Sequence, residues 1–268
     1  MKVNVKRTAL NVAGACNLNC KNCLAFIPYY KEKWVMSYNE ASKILKRYFE
    51  VVDTVNRFTI TGGEPLLNPE IARILNEMNK YKNQVNASID FVTNASLNIP
   101  EEVLDFFENN KEHTRIILSN YGPDLSVKID DIERELIRRG ITYRISKFTG
   151  SGLYYDGWID FSDHTLKHKT LEKRDENGAK CLHGSGKYFV INDGCIHRCS
   201  RSYWRIRNKH IPAIEGEYVP LMDDSVSLEK KKELLVGMLN QVSVTSCAYC
   251  VGFRNDVPRV EPAIQLKR

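Results

Sequence analysis

A chain of 268 residues, 43% of them hydrophobic and 27% charged, is long enough for one large α/β domain with a small appendage and too apolar for wholesale disorder. The net charge of +6 is modest, and Lys and Arg are spread among Asp and Glu, which predicts a solvated surface and no nucleic-acid partner. No stretch approaches the ~18 apolar residues of a membrane span, and the opening Met1-Lys-Val-Asn-Val-Lys-Arg7 is not a signal peptide, so a cytoplasmic protein without a membrane partner is expected.

In chain order, a buried strand is expected over Arg7 to Ala13, leading into the first cysteines. Ser37-Tyr-Asn-Glu40 forms a capping box before an amphipathic helix from Ala41 to Val52. Phe58 to Thr61 reads as a strand ending at Gly62-Gly63, and Asn68-Pro69 as the cap and first position of a helix. The alternation continues with strands over 89–93, 115–119 and 141–145 and helices over 100–109 and 129–139. Strand and helix taking turns at this spacing imply parallel βαβ units, with ligands bound at the carboxyl ends of the strands.

Past Lys147 the rhythm breaks, and residues 151–180 read as a connecting segment of loops with only short structure. Lys187 to Asn192, Asp193-Gly194 and Cys195 to Arg198 give a hairpin signal, and Leu228 to Asn240 is helical. The expected division is a core over 1–150, the connecting segment, and a Cys-rich unit over 181–268.

In a reducing compartment the eight cysteines group as Cys16, Cys20 and Cys23, then Cys181, Cys195 and Cys199, then Cys247 and Cys250, which is the pattern of metal ligation rather than disulfides. Cys16-Asn-Leu-Asn-Cys20-Lys-Asn-Cys23 offers three thiolates, and a cubane held by three cysteines leaves one iron open. A structural zinc site wants four closed ligands, and no fourth Cys or His lies nearby in sequence. Thr61-Gly-Gly-Glu-Pro65 closes the next strand, where two glycines let the backbone approach a ligand and Glu64 offers a carboxylate.

These motifs together resemble the radical SAM superfamily. The resemblance implies an α/β fold built on a partial (β/α)6 TIM-like barrel over about residues 7–147. It also implies that Cys16, Cys20 and Cys23 hold a 4Fe-4S cluster whose open iron takes S-adenosylmethionine. Gly62, Gly63 and Glu64, followed by Pro65, would then contact the amino group of the cofactor. Asn94, Ser119 and Asn120 fall at strand ends where the family contacts ribose and carboxylate, or else they are polar residues that close strands into turns. The position before the third cysteine, commonly aromatic in the family, is Asn22 here, so Phe26 is the expected partner of the adenine.

Cys181, Cys199 and the Cys247-Ala-Tyr-Cys250 pair resemble the auxiliary-cluster domain called twitch, which is similar to the first half of the SPASM domain. That likeness implies a second, auxiliary 4Fe-4S cluster on a hairpin and helix, with a four-cysteine zinc ribbon as the other reading of the same ligands. Cys195 is left over, either as a small buried residue or as a thiol that gives a hydrogen atom to a substrate radical. His183, His197 and His210 read as packing or surface residues.

By the same resemblance the reaction is an oxidation or epimerisation begun by a 5'-deoxyadenosyl radical, with a flavodoxin or ferredoxin-type reductant. The expected substrate is a small, sugar-like molecule, with Arg144 or Asp156 assisting loss of a hydroxyl proton. Tyr154-Tyr155-Asp-Gly-Trp158 offers an aromatic platform for its ring. Modification of a ribosomal peptide is the alternative within the family, and a zinc-binding non-catalytic regulator is the alternative outside it.

Overall fold

The computed structural model describes residues 2–267. Strands β1 (Asn4–Asn11), β2 (Thr54–Thr61), β3 (Val85–Thr93), β4 (Thr114–Asn120) and β5 (Tyr143–Lys147) alternate with helices α1 (Tyr38–Val51), α2 (Ile71–Asn79), α3 (Glu101–Asn109) and α4 (Ile129–Arg139). Beyond them come α5 (Leu171–Lys180), α6 (Leu182–Ser185), β6 (Tyr188–Asn192), β7 (Cys195–His197), α7 (Ser200–Arg207), β8 (Tyr218–Pro220) and α8 (Leu228–Asn240).

All eight strands form one sheet in the order β5-β4-β3-β2-β1-β6-β7-β8. Six are parallel, but the sixth pairs with β1 rather than with β5, so the barrel differs from the expected succession of six neighbouring strands. The edge left open by β1 is filled by the apolar run Tyr188-Phe-Val-Ile-Asn192, and β7 and β8 then extend the sheet antiparallel.

The strands show the period of two that a curved, two-faced sheet requires. One face carries Leu10, Phe58, Ile60, Ile89, Phe91, Ile116 and Leu118, which are wholly buried against the helices. The other face turns Ala9, Asn11, Thr59, Thr61, Ile117 and Ser119 toward an internal cavity.

Local sequence accounts for most element ends. The Ser37 side chain accepts the Glu40 N–H at 3.2 Å and starts α1. Gly140, at φ 62°, ends α4, and the Ile141 N–H returns to the Leu136 carbonyl, so residue 141 belongs to the helix stop and β5 begins two residues later than its apolar pattern suggests. Asn68 is not the N-cap of α2. It is a buried stitch whose amide donates to the carbonyls of Val12 and Met36 at 2.9 and 2.8 Å, and the helix begins at Ile71.

Phe58 sits at the centre of the outer face, 0% exposed and with ring centres 5.3 and 5.7 Å from Tyr48 and Phe49. Phe58→Ala is expected to cost about 3–5 kcal/mol of stability, read from chemical denaturation, and a loss below about 1 kcal/mol would show that this strand does not anchor the core.

Candidate active site

The loop after β1 carries Cys16, Cys20 and Cys23, and the turn after β2 is stitched to it through backbone. The Gly63 N–H donates to the Ala13 carbonyl at 2.7 Å, and the Glu64 N–H to the Ala15 carbonyl at 2.9 Å. Glycine is required for this contact. A Cβ on Gly62, at φ 152°, would lie 2.5 Å from the Ala13 oxygen, and one on Gly63 would lie 2.1 Å from the Ala15 oxygen. The two glycines therefore let the turn lie flat against the cysteine loop, in addition to lining the cavity.

Glu64 is 0% exposed and does not line the cavity. Its carboxylate accepts the Leu66 N–H at 3.0 Å, the Thr93 hydroxyl at 2.9 Å and the Asn94 N–H at 2.8 Å. Burial pushes its carboxyl up to about 7 against the pull of these donors. In the structure it braces the ends of β2 and β3. Pro65 is buried beside it and likewise stays off the cavity wall.

All three thiols of the first group line the cavity. Burial pushes Cys16 up to about 12 and Cys20 up to about 11, and raises Cys23, with the neighbouring thiols adding to the first two shifts. Thiolates so placed need a cation among them, and an iron cluster supplies one. Two side-chain amides address these sulfurs: Gln265 donates to Cys20 Sγ at 3.2 Å, and Asn94 Nδ2 lies 3.7 Å from Cys16 Sγ while donating to Asn17 at 2.9 Å. Among the described residues no three His, Cys, Asp or Glu side chains converge on the position of one metal ion, so these thiols are spread over a wider site.

The cavity, of about 420 Å³, is also lined by Asn94, Ser119 and Arg144, as expected, and by Trp158 with Tyr154 and Tyr155. Several expected residues lie elsewhere. Phe26, at φ 56°, packs its ring 4.9 Å from Trp204 and 5.4 Å from His164 and does not line the cavity. Asn120 caps a turn by accepting the Gly122 N–H at 2.9 Å. Asp156 is exposed, and Cys195 lies on β7, off the cavity wall and opposite Pro220. The cavity wall also holds Arg7, Asn22, Tyr121 and Tyr188, which the sequence reading passed over. The alternation Arg7, Ala9, Asn11 on β1 was the available signal.

The second thiol group is assembled from three places. Cys181 caps α5, Cys199 caps α7, and Cys247 lies within a short 3₁₀ turn that Cys250 ends. Their charges reach one another, and Cys247 is pushed up to about 12 mainly by burial. Arg198, Arg201 and Arg205 are only 1–2% exposed around them. Arg198 Nε and Nη1, Arg201 Nε and Nη1, and Arg205 Nη2 are buried without hydrogen-bond partners. The Cys250 thiol is lowered although burial raises it, because Arg201 and Arg205 favour its thiolate. Buried guanidinium groups without a carboxylate call for another anion, and the charges of these four cysteines, when ionised, act on Arg198 and Arg201. Cys199 lines the same cavity as Cys16, Cys20 and Cys23.

With this geometry in place, the family follows: the chain belongs to the radical SAM superfamily, whose profile matches residues 10–147. It is similar to the GTP 3',8-cyclase of Clostridium acetobutylicum, 30% identical over 49% of this chain and 40% of that protein. It is also similar to the GTP 3',8-cyclase of Campylobacter jejuni (strain RM1221), 25% identical over 65% of this chain and 62% of that protein. The chain thus spans about half the length of the curated relatives it matches. The solved structure of anSMEcpe with bound AdoMet shares the fold, with a TM-score of 0.55 at 14% identity over 96% of this chain and 93% of that one.

Gly63→Ala forces the turn off the cysteine loop, because its Cβ meets backbone rather than a movable side chain. The variant is expected to fold with a lowered melting temperature and to bind S-adenosylmethionine at least about tenfold more weakly after iron reconstitution, which equilibrium dialysis measures. Wild-type affinity would show that the contact between turn and loop is dispensable.

Proposed function

We propose that Cys16, Cys20 and Cys23 hold the 4Fe-4S cluster that cleaves S-adenosylmethionine, that Cys181, Cys199, Cys247 and Cys250 hold an auxiliary 4Fe-4S cluster of twitch type, and that the enzyme oxidises a small, sugar-like substrate. When bound, the first cluster and its cofactor supply a radical able to remove hydrogen from an unactivated C–H bond, with electrons from a flavodoxin or ferredoxin-type reductant. The reading is carried by one observation: Cys16, Cys20 and Cys23 of the first thiol group and Cys199 of the second line a single cavity. It divides the chain into a barrel core over 1–150, a connecting segment over 151–180 and an auxiliary unit over 181–268.

The protein's own groups serve three tasks in this scheme. Gly62 and Gly63 bring bare backbone to the cavity wall, and Asn94 and Ser119 give it polar contacts at the strand ends. Gln265 donates to a first-group sulfur, which stabilises the thiolate. Aromatic walls from Phe148, Trp158 and Phe161 keep water from the reacting centre. Arg144 cannot take a proton, because its guanidinium stays charged, so its help to a substrate hydroxyl is limited to hydrogen bonding. Asp156, being exposed, and Cys195, being off the wall, have no part in this reading.

Oxidation is favoured over epimerisation because, among the described residues, the thiols on the cavity wall are Cys16, Cys20, Cys23 and Cys199, all of them assigned to clusters. A volume of about 420 Å³ suits a small molecule beside the cofactor better than a folded peptide. The name of the curated relatives makes GTP their substrate, but the match covers too little of those proteins to carry it over.

Anaerobic reconstitution should give about eight irons per chain, as two cubanes require, and 5'-deoxyadenosine on addition of a strong reductant. Cys199→Ala is expected to keep deoxyadenosine formation while substrate oxidation falls on the order of 10–100-fold. Unchanged turnover would remove the second cluster from the reaction, and zinc without deoxyadenosine would overturn the whole reading.

A further inference from the structure

The cavity contains positive charge that a neutral substrate would leave without a counterion. Arg7 on β1 and Arg144 on β5 both line it, and no Asp or Glu does. Arg7 stacks over the Tyr188 ring at 5.0 Å and Arg144 over the Tyr154 ring at 5.2 Å. Tyr154 and Tyr155 touch at 4.4 Å between ring centres, and Arg7 acts electrostatically on Tyr155, so both guanidiniums reach the same group of tyrosines. Among the described residues neither arginine enters an ion pair, and Arg144 Nε is buried with no hydrogen-bond partner. The one carboxylate on the inner strand faces, Asp90, is fully buried and already held by Arg115 at 2.7 and 3.2 Å.

The register sharpens the point. Arg7 lies directly across from Arg57, whose Nε is also buried and without a partner. Like charges opposite one another in a sheet are destabilising, and partly buried guanidiniums without an anion are costly. Stacking on tyrosine offsets part of that cost but leaves Arg144 Nε without a hydrogen-bond partner.

Building on the radical SAM reading above, we infer that Arg7 and Arg144 form an oxyanion-binding site in the cavity, and that the substrate carries a phosphate or carboxylate group. The site sits on strands, so it is fixed before the ligand arrives. The guanidinium fork matches both kinds of oxyanion, and the neutral sugar ring then lies along Tyr154, Tyr155 and Trp158. The anion thereby sets which C–H bond is presented to the cofactor.

The test is calorimetric, on iron-reconstituted full-length protein, with glucose 1-phosphate, glucuronate and glucose as probes. One of the two anions is expected to bind at least tenfold more tightly than glucose, and the stronger of them identifies the oxyanion. Arg7→Gln and Arg144→Gln should each weaken that anion roughly 10- to 100-fold, while S-adenosylmethionine binding by equilibrium dialysis stays unchanged. Arg144→Lys, which keeps the charge but not the fork, should fall between Gln and wild type. If a Gln variant fails to fold by circular dichroism, the wild type decides: anion affinity that falls with added NaCl supports the site, and salt-independent affinity overturns it. The proposal is also overturned by equal binding of all three probes, by Gln variants that bind the anion as wild type does, or by Gln variants that lose S-adenosylmethionine instead. That last result would assign the arginines to the cofactor's own carboxylate. Iron content and deoxyadenosine formation on the same samples test the underlying radical SAM reading separately.

Discussion

Charge that cannot be left unpaired in a dry interior organises this molecule. A buried guanidinium without an anion is costly, and so is a buried thiolate without a cation. The C-terminal unit has both, in Arg198, Arg201 and Arg205 around Cys181, Cys199, Cys247 and Cys250. Each set makes the other tolerable only when the thiols are ionised, which is the state that a metal cluster enforces. Helix α7 illustrates the consequence, because it turns arginines rather than leucines toward the interior. Its stability is therefore tied to whatever the cysteines hold.

The two thiol groups are also mechanically joined. Phe26, Ile27 and Tyr30 from the first cysteine loop pack with Tyr203, Trp204 and Cys250 from the C-terminal unit in one apolar cluster. The chain returns at its far end to complete the first site: Lys21 donates to the Ile264 carbonyl and Leu266 to the Asn19 carbonyl, both at 2.8 Å, on either side of the bond from Gln265 to Cys20. Residues 10–147, which carry the family match, thus form the cysteine loop only together with residues about 250 positions away. The C-terminal part of the chain is integral to the barrel, since β6 supplies a wall of the cavity and closes the β1 edge.

What was legible in the sequence was what local chemistry specifies. The Ser37 cap, the Gly140 stop and the apolar period of α1 and α4 act within a few residues, and the helices they predict are present. The cysteine spacing and the Gly62-Gly63 pair were equally visible. Strands β2 and β3 proved longer than their apolar cores suggested, since their first halves put polar residues such as Arg57 and Ser88 on the inside of the curved sheet, and β1 runs from Asn4 to Asn11 rather than from Arg7 to Ala13. Helix α5 was read as loop because Leu171-Glu-Lys-Arg-Asp-Glu-Asn-Gly-Ala-Lys180 has no apolar stripe. Its buried residues are Asn177 and Gly178, and Asn177 donates to the carbonyls of Cys247 and Cys250 at 3.2 and 2.9 Å. Glu64 and Phe26 were assigned roles by family position, and both side chains point elsewhere because stronger local partners claim them, three donors for Glu64 and Trp204 with His164 for Phe26.

The same polar inner face that hid the strands from a hydrophobicity reading bears on selectivity. A barrel that needed only to be stable would fill its inner layer with Val, Ile and Leu, as closed barrels do. This one keeps Arg7, Arg57, Asp90, Arg115 and Arg144 there, and only the Asp90–Arg115 pair is internally neutralised. The remaining excess of positive charge lies on rigid strands, whereas the aromatic residues Tyr154, Tyr155 and Trp158 lie on the connection after β5. On the proposed reading, strand and connection divide the work of recognition, the one fixing a charged group in place and the other shaping the space around a neutral ring. A change of substrate within this fold would be reached most readily through residues 151–161, with the charge requirement of the cavity left intact.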